Sequence, residues 1–328
     1  MRRKISWGIL STGHIAEKFA EDLKLLPDAA LVAVGSRNTK NAASFAEKYG
    51  IPKSHASYQA LANDPEVDVI YVATPHNFHA ENSILCMQAG KAVLCEKAFA
   101  INTSEAAEMI RVAREKKVFL MEAMVTRHFP ATDQILTWIK SGKIGDVRMV
   151  KATQCIRGTF DNYTRHLSSV LGGGSLLDVG VYVISFASMI YGKPPVKSVG
   201  YGYIGSSGTD EQGAALLEFD QGALAVLTFA LRTDAVNEAY ILGTRGYIRV
   251  HPPFAVTRRA SLHIAGEAEV VAEIPIKGNG LNYEAAEVMR CLRAGLTESP
   301  RMPLDETLNI MDIMDNVRAD WPLKYAND

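Results

Sequence analysis

From residue 4 to about residue 121, short apolar runs alternate with amphipathic stretches along the chain. The apolar runs are nearly continuous, which is typical of strands that are buried on both faces of a parallel sheet. The amphipathic stretches repeat apolar residues every three or four positions, as helices do. The predicted strands are 5–10, 31–35, 68–73, 92–95 and 118–121, and the predicted helices are 14–26, 38–49, 77–89 and 102–117. We therefore predict a doubly wound α/β domain, of Rossmann type, at residues 1–122.

The pattern changes after about residue 122, where strands begin to follow one another directly. A helix at 130–140, a strand at 147–154 and a helix at 175–190 come first. The further predicted strands are 196–203, 214–219, 223–231, 239–242, 247–250, 262–264 and 270–274, and helices return at 283–294 and 305–318. Hairpin turns separate several of these strands. We predict an α+β domain at 123–328 with an open, largely antiparallel sheet, and its C-terminal helix is free to pack back on the first domain.

Composition limits the function classes. Of the 328 residues 48% are hydrophobic and 22% are charged, as in an average globular protein, and 35 Lys and Arg balance 36 Asp and Glu. This balance gives no basis for binding nucleic acid or a membrane surface. The four cysteines are scattered, so neither a disulfide framework nor a metal site is predicted. No signal peptide and no apolar run long enough for a bilayer are recognised, and we expect a cytoplasmic protein.

The first predicted strand turns into the first predicted helix at residues 11–16, which resemble a GxGxxG/A phosphate-binding turn. Serine replaces the first glycine, Gly13 is the second and Ala16 takes the third position. Glycine allows the backbone to approach a pyrophosphate, and the helix N-terminus attracts its charge. The turn predicts dinucleotide binding by Ser11, Thr12, Gly13, His14 and Ile15. The alternative is that the glycine only makes a tight turn.

The end of the second predicted strand indicates which dinucleotide binds. A carboxylate about 20 residues after the glycines would hold the ribose 2′-hydroxyl of NAD. The chain has Ser36 and Arg37 there instead, and a guanidinium can pair with the 2′-phosphate of NADP. We therefore favour NADP over NAD. A solvated surface arginine is the alternative interpretation.

Candidate acid–base side chains stand after two later predicted strands and on a predicted helix. Thr74, Pro75, His76 and His79 follow the strand 68–73, and Glu96-Lys97 ends the next one, so both lie at the sheet edge where ligands collect. Gly172-Gly173-Gly174 precedes the helix that carries Asp178 and Tyr182, which are four residues apart and share a helical face. We interpret these glycines as allowing close approach of a ligand. Taken singly, each of these groups could instead be a solvated ion pair or a core residue.

Together these residues resemble the glucose–fructose oxidoreductase/inositol dehydrogenase (Gfo/Idh/MocA) family along essentially the whole chain. The matching segments are the Gly13 turn, Thr74-Pro75 with His79, Ala89-Gly90-Lys91 with Glu96-Lys97, and 172–182. The run 122–130, and Tyr182 where many relatives have His, are most similar to the branch of dimeric dihydrodiol dehydrogenases and NADP-dependent D-xylose dehydrogenases. The chain departs from the family pattern at Ser11, Ala98 and Val125, which stand in place of Gly, Pro and Trp.

The resemblance implies an enzyme with Lys97, Asp178 and Tyr182 as catalytic residues, and with Thr74, Pro75, His76, His79 and Glu96 along the cofactor. It also implies a homodimer or homotetramer formed through the C-terminal sheet. An alcohol gives up a proton to a base while hydride leaves for the nicotinamide. Tyrosine has an unperturbed pKa near 10, and a neighbouring Lys97 ammonium would lower the pKa of Tyr182.

The expected substrate is a sugar, cyclic polyol or dihydrodiol. Three residues in segments expected to rim the pocket are candidates for binding it, and for each a solvated surface position is the alternative: Arg127, Tyr163 and His166. Two other classes of protein compete with an enzyme, namely an NADP-binding redox sensor without turnover and a structural subunit with a vestigial site. The combination of Lys97, Asp178 and Tyr182 argues against a sensor, because sensing needs no acid–base group.

Overall fold

The computed structural model describes residues 3–158, 165–326 and 328. The chain divides into two compact units. The first consists of Met1–Val125 and Lys277–Thr307, and the second of Thr126–Ile276 and Leu308–Asp328. Residues 277–307 thus belong to the first unit, although they follow the second along the chain.

The first unit contains a six-stranded parallel sheet, as the apolar runs predict. Its strands are β1 (Ile5–Leu10), β2 (Ala29–Gly35), β3 (Lys53–His55), β4 (Val69–Val72), β5 (Ala92–Glu96) and β6 (Leu120–Ala123). The order β3-β2-β1-β4-β5-β6 reverses direction between β1 and β4, which makes the carboxyl end of β1 the point where ligands bind in such sheets. The predicted Rossmann-type fold is confirmed.

The helices of this sheet are α1 (His14–Leu23), α2 (Thr39–Tyr49), α3 (Tyr58–Ala62), α4 (His79–Gln88) and α5 (Thr103–Lys116). Their ends follow local side-chain chemistry. Asn102 Oδ1 accepts a hydrogen bond from Glu105 N at 2.9 Å, and the Glu105 carboxylate accepts one from Ile101 N at 3.1 Å. This reciprocal pair of hydrogen bonds is of the capping-box type, and it fixes the start of α5. Gly50 ends α2 with φ +71°, a conformation that favours glycine.

The second unit contains an eight-stranded sheet. Its strands are β7 (Val147–Cys155), β8 (Lys197–Ile204), β9 (Asp210–Phe219), β10 (Ala223–Ala230), β11 (Ala239–Gly243), β12 (Gly246–Val250), β13 (Arg259–Ile264) and β14 (Val270–Glu273). The order is β14-β13-β12-β11-β7-β10-β9-β8, and only the β7–β10 pair is parallel. The prediction of a largely antiparallel sheet is confirmed.

Two helical segments of the second unit precede most of its strands. The first is α6 (Pro130–Lys140), with proline in its first turn. The second is a π-helical turn, Leu176–Gly180, that continues directly into α7 (Val181–Tyr191). We call the turn and α7 together the site helix. A regular helix was predicted here, and the π-helical winding of its first turn is an addition to that prediction. Such turns are often found at functional sites.

The chain then returns to the first unit with α8 (Leu281–Arg293), and α9 (Leu304–Arg318) follows. The Asp22 carboxylate, near the end of α1, fixes the start of α8. It accepts hydrogen bonds from Asn279 N at 2.9 Å and from Leu281 N at 2.8 Å. Leu281 N is the first N–H group of α8 and has no partner within the helix, so Asp22 caps α8 from a distant part of the chain.

One segment corrects the expectation that no apolar run could span a bilayer. The helical segment Ser169–Tyr191 has 23 residues and contains a window with a mean hydropathy of 1.6. By length and composition alone it could cross a membrane. However, 83% of its apolar window is buried within the protein, as in the core helix of a soluble domain. Its apolar character is therefore explained by packing against the sheet.

One face of the second unit's sheet is exposed and apolar. Along β8 exposed and half-buried residues alternate, and Tyr201 is 86% exposed. Tyr201 lies opposite Ala214, Val199 opposite Leu216, and Leu216 opposite Val226, so these side chains share one surface. The sheet is open on this side, as predicted.

Candidate active site

The turn between β1 and α1 has the features of a phosphate site. Gly13 is exposed and adopts φ −78° and ψ 175°, which any residue can adopt. A Cβ atom at this position would meet only the Ser11 hydroxyl oxygen, at 3.9 Å. Nothing in the fold of the chain therefore requires a glycine here. The absence of a side chain leaves space at this backbone for the approach of a group from outside.

The helix start next to Gly13 suits an anion. No side chain caps the N-terminus of α1, and the first helical bond runs from Glu17 N to Gly13 O at 3.1 Å. The N–H groups of the first turn therefore point out of the helix, together with the positive end of its dipole. His14 is exposed there and Ile15 is half-buried. The residues present fit the pyrophosphate of a dinucleotide.

Serine in place of the first glycine has a cost in backbone geometry. Ser11 has φ +106°, a region that residues with a Cβ atom rarely adopt. Its N–H donates to Gly35 O at 2.9 Å, which ties the turn to the end of β2. Thr12, the next residue, is half-buried. The chain thus keeps the shape of a glycine-first turn despite the substitution.

Ser36 and Arg37 follow directly after β2. The Ser36 hydroxyl accepts a hydrogen bond from Asn38 N at 3.2 Å, and Asn38 in turn caps α2. The exposed Arg37 guanidinium lies over the Phe78 ring at 5.1 Å. It also lies close enough to Tyr58 to oppose the burial that raises the pKa of that phenol. Neither residue is acidic, so this strand end presents positive charge.

His79 has a different task from the predicted contact with a cofactor. Its ring is fully buried, with Nδ1 2.8 Å from Ala98 O and Nε2 2.8 Å from Thr74 O. The ring therefore joins the segment after β4 to the segment after β5. His76 is buried beside it, with the two rings edge to face at 5.5 Å, and Pro75 is half-buried. These histidines shape the sheet edge from inside.

Glu96 and Lys97 stand at the end of β5. The Glu96 carboxylate is buried and accepts a hydrogen bond from the Tyr71 hydroxyl, whose ring stacks on Phe19. Lys97 is half-buried. Because Ala98 O is hydrogen-bonded to His79, the backbone that follows Lys97 is connected through this ring to the segment after β4. The parallel sheet thus brings the phosphate turn, Arg37 and Lys97 to one edge.

Within the second unit, Asp178 and Tyr182 both lie on the site helix. Asp178 is buried in the π-helical turn, and Tyr182 is half-buried in α7. The Asp178 carboxylate accepts from Arg165 Nη2 at 3.2 Å, and its other oxygen is 3.7 Å from His166 Nε2. His166, predicted to bind substrate, therefore lies beside Asp178. No sequence spacing indicated that Arg165 would pair with Asp178.

Two other residues predicted to bind substrate have different outcomes. Arg127 is only 3% exposed, and it donates to the hydroxyl and the carbonyl oxygen of Ser185, at 2.9 and 2.8 Å. Its guanidinium therefore anchors the site helix inside the unit, which corrects the prediction that it rims the pocket. Tyr163 lies outside the described residues.

The glycines before the site helix were interpreted as room for a ligand, and the surroundings of Gly173 and Gly174 do not fit this interpretation. A Cβ atom on Gly173 would lie 2.5 Å from Arg165 O and 2.7 Å from His166 O. Gly174 has φ +124°, and its Cβ would lie 2.0 Å from Asp210 Oδ1. The chain's own atoms fill this space. Asp210 therefore lies beside the start of the helix that carries Asp178. No local motif in the sequence marks this residue.

No group of three His, Cys, Asp or Glu side chains among the described residues is arranged to hold a metal ion. An uncapped helix start after the first strand of a β3-β2-β1-β4-β5-β6 sheet defines the class of the first unit, a dinucleotide-binding domain of Rossmann type. The chain belongs to the Gfo/Idh/MocA oxidoreductase family. The family model described as an oxidoreductase family with an NAD-binding Rossmann fold matches residues 5–124, and that of the GFO/IDH/MocA C-terminal domain matches 132–249.

Named relatives agree with this assignment over the full length of the chain. A trans-1,2-dihydrobenzene-1,2-diol dehydrogenase from Danio rerio is 38% identical over 335 residues, 99% of each chain. The enzyme of the same name from Homo sapiens is 36% identical, again over 99% of each chain. The resemblance predicted from the sequence is confirmed.

Solved structures extend the comparison. A 3-ketoreductase from Actinomadura kijaniata, in complex with NADP and TDP-benzene, is 26% identical with a TM-score of 0.85, covering 97% of this chain and 98% of that one. An aldose-aldose oxidoreductase from Caulobacter crescentus, complexed with glycerol, has a TM-score of 0.88 at 23% identity, with the same coverage. The second likeness concerns the fold alone.

Proposed function

We propose that the chain is an NADP-dependent dehydrogenase or reductase that acts on a CH–OH group of a sugar, cyclic polyol or dihydrodiol. The observation that carries this proposal is the sheet edge of the first unit. There an uncapped helix N-terminus with an unobstructed Gly13 lies at the same edge as the half-buried Lys97. A phosphate site alone would fit a sensor as well as an enzyme. A lysine ammonium at the carboxyl ends of the parallel strands, where ligands bind, favours an enzyme.

The choice of NADP rests on the end of β2. A basic Arg37 beside Ser36, where NAD-binding chains of this fold have a carboxylate, favours a 2′-phosphate. Arg37 already lies over Phe78, so part of its side-chain entropy is lost before a ligand binds. The NADP found with the 3-ketoreductase relative supports the same choice. Thr74 and Pro75, at the end of β4, complete the proposed cofactor contacts.

Three side chains take the chemical roles. A bound nicotinamide would supply or accept the hydride. Tyr182 gives the proton to the carbonyl oxygen in reduction and removes it from the hydroxyl in oxidation. Lys97 acts with Tyr182 as its electrostatic partner, since a nearby ammonium favours the phenolate. Asp178 orients the substrate, and its pairing with Arg165 and His166 holds the carboxylate in one position.

The dihydrodiol in this substrate class follows the name of the full-length relatives, and the sugar and the cyclic polyol follow the resemblance to the Gfo/Idh/MocA family. A steady-state screen in both directions tests the proposal, with NADP+ or NAD+ for aldoses, cyclic polyols and dihydrodiols, and with NADPH or NADH for the corresponding carbonyl compounds. We expect turnover with at least one of these compounds and a clear preference for the NADP form of the cofactor over the NAD form. A strong preference for NADH would contradict the role given to Ser36 and Arg37. NADPH binding without any turnover would favour a sensor.

Tyr182→Phe tests the acid–base assignment. The variant loses the phenolic proton and keeps the ring, so we expect kcat to fall by about 10²–10⁴ while the NADPH affinity is unchanged. Lys97→Met and the double variant show whether the two groups act as one unit. If they do, the double variant loses much less than the product of the single losses. Unchanged turnover in Tyr182→Phe would contradict the assignment.

The exposed sheet face supports a second, separate proposal, that the protein self-associates as a homodimer or homotetramer in the cytoplasm. Tyr201, Val199, Leu216 and Val226 form an apolar surface of a kind that is uncommon on monomers. Sedimentation of the wild type and of Tyr201→Glu tests it, because a charge on this surface should dissociate the oligomer. A wild-type monomer at micromolar concentration would contradict it.

A further inference from the structure

The N-terminus of the site helix is closed by a side chain from a distant strand. Asp210, the first residue of β9, is fully buried. Its Oδ2 accepts hydrogen bonds from Ser175 Oγ at 2.7 Å and from Leu176 N at 2.6 Å. Leu176 is the first residue of the π-helical turn, so Asp210 satisfies a backbone N–H that has no partner within the helix. A negative charge at this end is also favoured by the helix dipole.

The surrounding chain leaves room for this carboxylate and for little else. Gly174 has φ +124°, and a Cβ there would lie 2.0 Å from Asp210 Oδ1 and 3.1 Å from the Tyr325 hydroxyl oxygen. That hydroxyl donates to Gly173 O at 2.9 Å. Two consecutive glycines are thus held by residues from β9 and from the C-terminal segment. The link that leads into the site helix is therefore held by contacts with two other parts of the chain.

The capped end of the site helix lies close to the two proposed catalytic residues of this helix. Asp178 is two residues beyond Leu176 and Tyr182 is six, so both lie within about two turns of the capped end. Farther along the helix, Arg127 holds Ser185 through its hydroxyl and carbonyl oxygen. Between them, Asp210 and Arg127 fix the segment that contains Asp178 and Tyr182. Small displacements of acid–base groups are expensive, because a shift of about 1 Å can cost about 10² in rate.

We propose that Asp210 is a positioning residue for the reaction: its buried carboxylate sets the start of the site helix, and thereby the placement of Asp178 and Tyr182 toward the substrate. Asp210 itself touches no substrate. This inference rests on the proposed function, in which Tyr182 transfers the proton. Replacement of Asp210, the first residue of β9, should therefore lower kcat, although no sequence motif marks this residue.

Two substitutions separate the charge of Asp210 from its hydrogen bonds. Asp210→Asn keeps the shape and one acceptor oxygen but removes the charge, and we expect kcat to fall about tenfold. Asp210→Ala leaves Leu176 N and Ser175 Oγ without an acceptor, and we expect a fall of about 10². The dissociation constant of NADPH, measured by fluorescence titration, should stay within twofold in both, since Asp210 belongs to the second unit. If Asp210→Ala does not fold, Ser175→Ala, which removes only the side-chain donor, should still lower kcat several-fold.

A matched control distinguishes positioning from general stability. Asp22→Asn removes the charge from the same kind of remote cap, at α8 in the first unit, where Asp22 accepts from Leu281 N and Asn279 N. It should lower the melting temperature about as much as Asp210→Asn while leaving kcat within twofold. An equal loss of kcat in both variants would overturn the inference, because the effect would then follow stability.

The outcomes also separate this inference from the proposed function. If Tyr182→Phe loses activity and Asp210→Asn keeps it, the positioning role is wrong and the function stands. If Tyr182→Phe keeps full activity, the proposed acid–base role fails, whatever Asp210→Asn does. A fall of kcat in Asp210→Asn, with an unchanged NADPH dissociation constant and an unaffected Asp22→Asn, supports both.

Discussion

Two helix starts in this molecule have similar sequences and opposite structures. Glycine precedes α1 at Gly13 and the site helix at Gly173-Gly174. At α1 no side chain caps the helix, and a Cβ on Gly13 would meet one atom at 3.9 Å. At the site helix Asp210 occupies the N-terminus, and a Cβ on Gly174 would lie 2.0 Å from its carboxylate. An open end can bind an anion from outside, whereas a filled end fixes the helix that follows.

The difference teaches how to interpret a glycine before a helix. The glycine of an open end is needed only when a ligand is present, so its replacement should affect binding. The glycine of a filled end is needed by the fold, so its replacement should affect stability. Each of the following changes tests one side of this contrast.

Gly174→Ala should have the largest effect. The new Cβ would overlap Asp210 Oδ1, and alanine would have to adopt φ +124°. Strain at such φ values costs about 1–3 kcal/mol. Displacement of a buried, hydrogen-bonded carboxylate adds to this strain, so we expect a total loss of about 4 kcal/mol in the free energy of unfolding. Urea denaturation of the purified variant measures this loss.

Gly192→Ala is the control at the other end of the same helix. Gly192 has φ +65°, but a Cβ there would meet nothing within 4 Å. Only the backbone cost remains, about 1–2 kcal/mol. If the two variants lost equal stability, the Asp210 carboxylate would have moved aside at no cost, and the filled end would not be rigid.

The next prediction compares two buried carboxyl groups. Asp210 accepts two hydrogen bonds, and burial still raises its pKa to about 6. Glu284 in α8 is also fully buried, but neither of its oxygens has a hydrogen-bond partner among the residues that the structure describes. Its pKa is raised well above the ordinary value, first by burial and then by Glu96, Asp22 and Glu122. Glu284 therefore holds its proton to a higher pH than an exposed glutamic acid does.

Such a raised pKa makes stability depend on pH in a known direction. The contribution of protonated Glu284 is fully present below the pKa of the unfolded chain, and it is lost as the pH rises toward the folded value. Glu284→Gln, which cannot ionise, removes this loss of about 1.4 kcal/mol per pH unit. The variant should gain stability relative to the wild type between pH 5 and pH 8 in urea denaturation. An equal difference at both pH values would show that Glu284 has its ordinary pKa.

Gly13→Ala tests the open end. The backbone at Gly13 accepts any residue, and the new methyl group meets no atom closer than 3.9 Å. We expect the free energy of unfolding to change by less than about 0.5 kcal/mol. The dissociation constant of NADPH should rise roughly tenfold, or about 1.4 kcal/mol, because the methyl group occupies the approach of the pyrophosphate.

Gly90→Ala should give the reverse result. Gly90, with φ +78° and no atom near its Cβ position, follows the end of α4. Its replacement should cost about 1–2 kcal/mol of stability and leave NADPH binding unchanged. If Gly13→Ala instead lost stability and bound NADPH normally, the turn would be a structural feature and the open end would not be a phosphate site.

The same contrast explains what the sequence could predict. The strands, the phosphate turn and the Asn102 cap depend on neighbours within a few residues, so their patterns are visible in the chain. Asp210 was invisible because its partners, Ser175 and Leu176, are about 35 residues away. Arg127 was assigned to the pocket for a similar reason. Its hydrogen-bond partner, Ser185, is 58 residues away, so the sequence does not show that the guanidinium donates to it.

Irregular geometry was also beyond a sequence pattern. The π-helical turn Leu176–Gly180 was predicted as part of a regular helix, because apolar spacing over one turn does not distinguish the two windings. The short elements β3 and α3 were missed, since three and five residues are too few for a periodic signal.

Ser11→Gly should have the smallest effect, and it tests whether the open end stores strain. Ser11 has φ +106°, and glycine at this position removes a backbone cost of about 1–2 kcal/mol. Glycine also gives the unfolded chain more conformational freedom, which lowers stability by about 0.5–1 kcal/mol. We therefore expect the free energy of unfolding to rise by a net value of about 0.5 kcal/mol. The NADPH dissociation constant should not change, because the conformation of the turn is already that of glycine. Thr12→Gly is the control, since Thr12 has no positive φ and glycine there should only lower stability. A loss of stability in Ser11→Gly would mean that the serine hydroxyl contributes more to the folded turn than its backbone strain removes.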